Sequence, residues 1–254
     1  MQDCDIRIGT SGWHYKHWIG PFYPEKTPAS KMLAYYQQQF NTVEVNNSFY
    51  HLPKQASLEC WRDSTPADFV FAAKGSRFLT HMKKLKDAEQ GLQRFLEAIE
   101  TLRQKLGPIL FQLPPQWDVD FERLNTFLRL LPKHHRYSFE FRNATWHIPH
   151  IYGLLREHNA AYCAFHLAGE HSPVEITADF AYVRLHGPGG KYQGSYSERA
   201  LADWSERISK WKRDLKAVYV YFDNDQAGYA AQDALRLKSL VTGLWSRTHH
   251  RYER

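Results

Sequence analysis

The chain contains short runs in which apolar and polar residues alternate, and most of them stop at or near a Gly, Pro or Asn. The clearest run covers residues 136–143, where Tyr137, Phe139 and Phe141 alternate with polar or charged residues. Successive side chains of a strand point to opposite faces, so this strand has one apolar face and one charged face. Runs of this kind predict eight strands, at residues 6–10, 42–46, 69–74, 109–113, 136–143, 162–167, 181–186 and 217–224.

Helical periodicity fills most of the gaps between these strands. The predicted helices cover residues 30–40, 54–62, 88–106, 121–131, 149–158, 198–215 and 230–244. Alternating strands and helices are typical of a parallel α/β sheet. Parallel strands buried on both faces normally read as continuous apolar runs. A charged face repeated around the sheet therefore favours a closed barrel, whose interior can line a site, over an open doubly wound sheet.

The predicted fold is a single (β/α)8 TIM-like barrel of the α/β class. The 254 residues are close to the roughly 250 typical of one such barrel. Residues 169–180 are too short and too interrupted by proline for a helix, so we expect a slight irregularity between strands six and seven. We predict one domain over residues 1–247 and a loose basic tail over residues 248–254.

Composition narrows the class of protein without changing the fold. A hydrophobic fraction of 43% with 15% aromatic residues indicates a real core and excludes a disordered or fibrous chain. The net charge of +6 mildly favours anionic partners, nucleic acid among them. No apolar run approaches the roughly 20 residues of a membrane span, so we expect no membrane partner. Three scattered cysteines and no signal-peptide pattern predict reduced thiols and a cytoplasmic location.

Polar residues on the inward face of the predicted barrel are the candidate functional residues. Active sites of such barrels lie at the carboxyl ends of the strands. The inward residues predicted nearest that end are Asn46, Lys74, Gln112, Arg142, His166, His186 and Asp223. Deeper inside, Arg184 stands against Glu44 and Glu140. Because buried charges must pair or face a ligand, two interpretations stay open: an internal salt-bridge network, or a polar pocket with cations left for an anion.

Two loops add candidates at the mouth of the barrel. The loop after strand one carries Trp13, Tyr15 and Trp18, which predict either a stacking wall or a hydrophobic plug. The loop after strand seven is rich in glycine and carries Lys191 and Tyr196. Glycine lets backbone amides approach an oxyanion, and barrels often bind phosphate near strands seven and eight. A plain mobile loop is the alternative.

No cofactor is predicted. Side chains of the types that bind divalent metals occur among the candidates, namely Glu44, Glu140, His166, His186 and Asp223. The Lys and Arg residues interleaved with them would repel a cation, so a metal is the less favoured alternative. The chain has no Walker loop, GxGxxG, GxSxG or HExxH motif.

Several motifs together resemble the YecE-like proteins, a family defined by a domain of unknown function. The motifs are IGTSGW (8–13), FYP (22–24), TVEVN (42–46) with FY (49–50), GPILFQLPP (107–115), EFR (140–142) with Trp146, YVRLHG (182–187) and YVYFDN (219–224). They occur in the family's order over about residues 6–240. The resemblance implies a TIM-barrel-like fold and no established reaction. The positions it marks as characteristic are Glu44, Asn46, Gln112, Glu140, Arg142, Arg184, His186 and Asn224.

The leading hypothesis is an enzyme that binds a small phosphate- or carboxylate-bearing molecule at the mouth. Glu44 or Glu140 would act as general base and His186 as proton shuttle, the acid–base chemistry used by hydrolases and lyases. The candidate substrate-binding residues are Trp13, Tyr15, Asn46, Lys74, Gln112, Arg142, His166, Arg184, Lys191, Tyr196, Asp223 and Asn224. The alternatives are an endonuclease-like barrel that binds or processes nucleic acid, and a non-catalytic scaffold. The sequence makes no statement about oligomeric state.

Overall fold

Hydrogen bonding between the strands produces a nearly closed parallel barrel. The computed structural model describes residues 3–243. Its strands are β1 (Asp5–Thr10), β2 (Thr42–Val45), β3 (Val70–Lys74), β4 (Leu106–Leu113), β5 (Tyr137–Phe141), β6 (Ala161–Leu167), β7 (Glu170–His171), β8 (Phe180–Leu185) and β9 (Ala217–Phe222). They pair in the order β1-β9-β8-β6-β5-β4-β3-β2, with β7 attached to β6. The predicted TIM-like barrel is confirmed.

Helices connect most of the strands and cover the outside of the barrel. They are α1 (Met32–Gln39), α2 (Asn47–Tyr50), α3 (Gln55–Asp63), α4 (Glu89–Ile99), α5 (Phe121–Leu130), α6 (Pro149–Glu157), α7 (Glu198–Trp211) and α8 (Tyr229–Val241). The helix predicted over residues 88–106 ends earlier, because Arg103 has a φ of 53° and Leu106 already pairs with β3. Between residues 3 and 243, no helix is both long and apolar enough to cross a membrane.

The seam between β1 and β2 closes without a regular ladder; only an isolated bridge joins the two strands. The Tyr36 hydroxyl lies in the seam, accepting from the Thr10 amide at 3.0 Å and donating to the Thr42 carbonyl at 3.0 Å. Gly9 allows this close approach, because a Cβ at that position would lie 2.4 Å from the Thr42 carbonyl oxygen. A tyrosine hydroxyl thus replaces a backbone hydrogen bond at the point of closure.

The connection between β6 and β8 is irregular, as predicted. It contains the two-residue strand β7, antiparallel to the end of β6, and no helix within these described residues. Hydroxyl groups supply acceptors for β6: Thr177 Oγ1 accepts from the Tyr162 amide at 2.7 Å, and Ser172 Oγ accepts from the Phe165 amide at 2.8 Å. These bonds hold the loop against the strand in place of a covering helix.

The interior of the barrel is apolar in its lower part, toward the amino ends of the strands, and polar in its upper part, toward their carboxyl ends. The apolar layer packs aliphatic, aromatic and sulfur-bearing side chains, namely Ala72, Leu110, Ala161, Cys163, Phe180, Tyr182, Ala217, Tyr219 and Tyr221. Tyr137, Phe139 and Phe141 of β5 face outward into a separate core beneath the helices, as their alternation predicts. The polar layer therefore lies at the carboxyl ends of the strands. The predicted tail, residues 248–254, lies outside the described residues.

Candidate functional site

Charged and polar side chains converge on the barrel axis at the carboxyl ends of the strands. We call this set the polar ring; it consists of Ser11, Glu44, Lys74, Gln112, Glu140, Arg142, Arg184, His186 and Asp223. Side chains two residues apart in extended chain share a face, so Glu140 of β5 enters the ring together with Arg142, which directly follows that strand. Arg184 of β8 and His186, which directly follows it, enter in the same way. The predicted convergence of these residues is present in the structure.

Arg184 is the centre of the polar ring and is only 1% exposed. Its Nη2 lies 2.7 Å from Glu44 Oε1, and its Nη1 lies 2.9 Å from Glu140 Oε2. Nη2 also approaches Asp223 Oδ2 at 3.2 Å, and Nε bonds the Glu44 carboxylate. Every guanidinium nitrogen therefore donates to a group of the protein. Burial alone would lower the pKa of Arg184, but Glu44 and Glu140 raise it well above its usual value.

The two glutamates are fully buried and have little hydrogen-bonding capacity to spare. Besides Arg184, Glu44 accepts from Ser11 Oγ at 2.5 Å and from the Tyr182 hydroxyl at 2.7 Å. Glu140 accepts from Arg142 Nε as well as from Arg184. Burial would raise the pKa of Glu140, but the charges of Arg142 and Arg184 hold it well below its usual value. Both carboxylates are thus engaged by charged donors.

His186 is held in one tautomer by its neighbours. Its Nδ1 lies 2.9 Å from Asp223 Oδ2, and its Nε2 lies 2.8 Å from Arg142 Nη2. A carboxylate can only accept and a guanidinium can only donate, so this network assigns the hydrogen to Nδ1 and leaves Nε2 as acceptor. Arg184 Nη1 also lies 3.3 Å from Nε2, so both nitrogens are occupied and a proton could pass through His186 only after the arginines moved away from Nε2.

One side of the polar ring keeps unused donors. The Lys74 ammonium makes no hydrogen bond or ion pair with any described residue, and it lies 4.3 Å from the centre of the Phe49 ring. Burial and the charge of Arg184 lower its pKa from 10.5 to about 8. The Gln112 amide and Arg142 Nη1 also have no hydrogen-bond partner among residues 3–243. These three side chains come from the adjacent strands β3, β4 and β5.

Two residues at the mouth were missed by the sequence analysis. His81 lies in a π-helical turn, Phe78–Met82, after β3. Burial and the neighbouring Lys74 lower its pKa to about 4. The Thr80 hydroxyl donates to the Ser76 carbonyl and lies 2.9 Å from His81 Nδ1, so Nδ1 carries the hydrogen. Nε2 is then an acceptor that bonds to no residue between 3 and 243.

Tyr192 is the second missed residue. Its ring centre lies 5.6 Å from that of His186, and burial together with Asp223 raises the pKa of its hydroxyl. No periodicity marked either His81 or Tyr192, because both lie in connections rather than on strands. A glycine-rich loop that begins at the end of a barrel strand was the available signal for Tyr192.

Comparison with known proteins places the chain in a family. A family model described as "Protein of unknown function DUF72" matches residues 7–251. The chain belongs to the DUF72 family. It is 28% identical to the UPF0759 protein YunF of Bacillus subtilis (strain 168), over 93% of this chain and 94% of YunF. It is 29% identical to the UPF0759 protein YecE of Escherichia coli (strain K12), over 54% of this chain and 48% of YecE.

Solved structures of DUF72 proteins share the barrel. A crystal structure from Thermotoga maritima MSB8 matches with a TM-score of 0.85 at 29% identity, covering 94% of this chain and 99% of that chain. A second, from Enterococcus faecalis V583, matches with a TM-score of 0.78 at 21% identity, covering 95% and 99%, and supports the fold alone. The resemblance to the YecE-like proteins is confirmed, and with it the fold that it implied.

Not every predicted residue of this DUF72 protein reaches the polar ring. His166 was expected to point inward, but it lies on the outer face of β6, where its ring stacks on that of His171 at 3.9 Å. Cys163 occupies the inward core position instead. Apolar residues occupy both faces of this strand, so alternation could not reveal its phase. Burial lowers the pKa of His166 to about 4.

Tyr196 and Asn224 stabilise the loop at residues 187–196 through hydrogen bonds to its backbone. The Tyr196 hydroxyl accepts from the Gly187 amide at 3.1 Å, and Asn224 Nδ2 donates to the Gly194 carbonyl at 2.8 Å. Both side chains are buried outside the ring. Lys191, at the exposed turn of the loop, makes no ion pair among the described residues and packs 5.4 Å from the Tyr192 ring.

Trp13, Tyr15 and Asn46 lie together, but in a cavity beside the polar ring rather than in it. Trp13 is 7% exposed and Trp18 is fully buried, so the aromatic loop packs into the core and forms no open stacking wall. The hydrophobic-plug interpretation therefore describes most of this loop.

A different group of side chains has the composition of a metal site. In the described part of the chain, the His, Cys and acidic ligand atoms that lie within 4.8 Å of one another belong to Glu100, His134 and His135. They precede β4 and β5 and so lie at the opposite end of the barrel. The carboxylates considered above as metal ligands, those of Glu44 and Glu140, bond to arginine instead.

Proposed function

We propose that the mouth of the barrel binds the phosphate or carboxylate group of a small molecule through Lys74, Gln112 and Arg142. The observation that carries this proposal is the unpaired Lys74 ammonium. Lys74 is only partly exposed, and a charge that is largely shielded from water normally has a counter-charge in the protein. No such counter-charge contacts it among the described residues, which supports a ligand as its source.

The polar ring then has two halves with different roles. Arg184, Glu44 and Glu140 satisfy one another, which supports a structural role for them of the kind the scaffold hypothesis envisaged. Lys74, Gln112 and Arg142 Nη1 have unused donors on three adjacent strands, which supports a ligand-binding role. The mixed charges of the ring thus accommodate both interpretations that the sequence left open.

Acid–base chemistry on the ligand would fall to His81 more readily than to the groups first considered. Glu44, Glu140 and His186 already bond to arginine, whereas His81 Nε2, near Lys74, accepts no hydrogen bond from the described residues. With a pKa of about 4, His81 is neutral near pH 7, so its Nε2 is available to accept a hydrogen bond from a ligand held at the mouth; a ligand anion beside it would raise this pKa toward the range of a general base.

The nucleic-acid alternative has less support. It required the rings of the loop at residues 13–18 to stack on bases, and Trp13 and Trp18 are 7% and 0% exposed. No other feature of the described residues favours it over a small anion.

Calorimetric titration with inorganic phosphate and with succinate tests the proposal. Lys74→Met is expected to weaken binding of the better of the two by about tenfold or more, the effect of losing one charged hydrogen bond. Lys133→Met removes an exposed lysine at the opposite end of the barrel and is the matched control; it should leave affinity unchanged. Equal affinities of the wild type and Lys74→Met would refute the proposal.

A further inference from the structure

A cavity of about 480 Å³ lies beside the polar ring, bounded by the loop after β1, the beginning of α1 and the end of α3. This volume lies within the range of small-molecule sites, roughly 300–1,000 Å³. Its walls include the flat side chains of Trp13, Tyr15 and Trp61 and the amides of Asn46 and Asn47. A planar ligand with polar edges matches such a lining.

Asn46 supplies a buried acceptor that the protein does not use. Its Oδ1 is buried without a hydrogen-bond partner, and its side chain bonds to no residue between 3 and 243. It precedes α2 but does not cap that helix. An unpaired buried polar atom costs about 1–3 kcal/mol, so an amide turned to place this oxygen toward the cavity and paired with a ligand donor would remove a standing penalty.

The cavity adjoins the proposed anion site through α2. Asn46 and Asn47 line the cavity, and Phe49, two residues further on, contacts the Lys74 ammonium. Ser48 Oγ donates to the Lys74 carbonyl at 2.7 Å, which fixes this one-turn helix against β3. The same short helix therefore contacts both the cavity and the proposed anion site.

We propose that the cavity binds a planar heterocycle with an N–H donor, and that this ring belongs to the same molecule whose anionic group lies at Lys74. A nucleoside monophosphate has this chemistry. The ring would pack on Trp61 and Tyr15 and donate to the Asn46 amide oxygen, turned toward the cavity. The assignment of the anionic part rests on the proposed function; the assignment of the ring rests on the cavity alone.

Two substitutions test the cavity without disturbing the core. Asn46→Leu removes the acceptor, and because that side chain bonds to nothing in the described protein, the fold should be as stable as the wild type or more so. Ala34→Trp places a large ring in the cavity from an exposed position on α1. The probes are adenosine, guanosine and cytidine, their 5′-monophosphates, and inorganic phosphate.

At least one nucleoside should bind the wild type, and its monophosphate should bind more tightly. Asn46→Leu and Ala34→Trp should each weaken nucleoside binding about tenfold or more and leave phosphate binding intact. Lys74→Met should weaken phosphate binding and leave nucleoside binding intact. Failure of every nucleoside to bind, or binding insensitive to both cavity variants, overturns the inference. Loss of phosphate binding in Lys74→Met would in that case still support the proposed function.

Cys60 gives a second readout, because it is exposed and lines the cavity, whereas Cys163 is buried. In a Cys4→Ser background, labelling of Cys60 by a disulfide reagent should slow at least severalfold when the bound nucleoside saturates the protein. Phosphate alone should not slow it. An unchanged rate under saturating nucleoside would place that ligand elsewhere and contradict the proposed site.

Discussion

Lys74→Met is expected to make the ligand-free protein more stable at pH 7. Burial and repulsion from Arg184 lower the pKa of Lys74 from 10.5 to about 8, so the folded state disfavours the ammonium that an unfolded chain carries freely. No anionic group among the described residues pairs with it. Methionine has a similar length and can keep the contact with Phe49 without the charge.

The difference in pKa sets the size of the effect. At 1.36 kcal/mol per pKa unit, a change from 10.5 to about 8 corresponds to a penalty of about 3 kcal/mol at pH 7. The unfolded chain binds more protons than the folded one between those two values, so wild-type stability rises with pH across that window relative to Lys74→Met. The advantage of the variant should fall to about 1.4 kcal/mol at pH 9.5 and vanish above pH 10.5.

Urea denaturation followed by circular dichroism measures this difference. The wild type and Lys74→Met are compared at pH 7 and pH 9.5 in buffers free of phosphate and carboxylates. Lys133→Met is the control for loss of a lysine, and it should change stability by no more than about 0.5 kcal/mol at either pH.

Lower or unchanged stability of Lys74→Met at pH 7 would refute the reasoning, since the ammonium would then have a counter-charge or full access to water. Phosphate provides an independent check. At a concentration of about one hundred times the wild-type dissociation constant, phosphate should stabilise the wild type by about 2.7 kcal/mol and the variant, which binds it at least about tenfold more weakly, by no more than about 1.4 kcal/mol.

Three further predictions concern the structural half of the polar ring. Arg184→Met should lower the free energy of unfolding by about 3–5 kcal/mol, because it leaves Glu44 and Glu140 buried without their counter-charge. Adding Glu44→Gln should recover part of that stability. No recovery in a double-mutant cycle would argue against this pairing. Tyr182→Phe removes a donor to Glu44 and should lower the free energy of unfolding, measured by urea titration, by about 1–3 kcal/mol. Unchanged stability would mean that the hydroxyl makes no such hydrogen bond. The pKa values of Glu140 and Asp223 are lowered in the fold, so their contribution to stability is fully present above the pKa values of the unfolded chain. The free energy of unfolding should therefore fall as the pH drops through the acid range, and it should fall less steeply in Glu140→Gln. Parallel pH profiles for the two proteins would contradict this linkage.

The alternation of side chains identified much of the polar ring before any contact was known. Glu140 and Arg142, on and directly after β5, and Arg184 and His186, on and directly after β8, were placed inside the barrel from period two alone, and they lie there. The same rule failed for His166, since β6 is apolar on both faces and alternation cannot distinguish them. Residues in connections, such as His81, have no period and were not found.

The sequence by itself determined the α/β class, the barrel, the family and which face of most strands points inward. Those properties depend on local periodicity and on short motifs, both of which are formed by residues close together in the sequence. Only the tertiary structure decided which charge meets which. Arg184 and Glu44 are 140 positions apart, and their contact depends on strand order, register and closure of the barrel. The same geometry leaves the Lys74 ammonium without a partner in the described protein. The sequence does not contain that geometry, so it could not distinguish the residues proposed to bind a ligand from those that pair with one another.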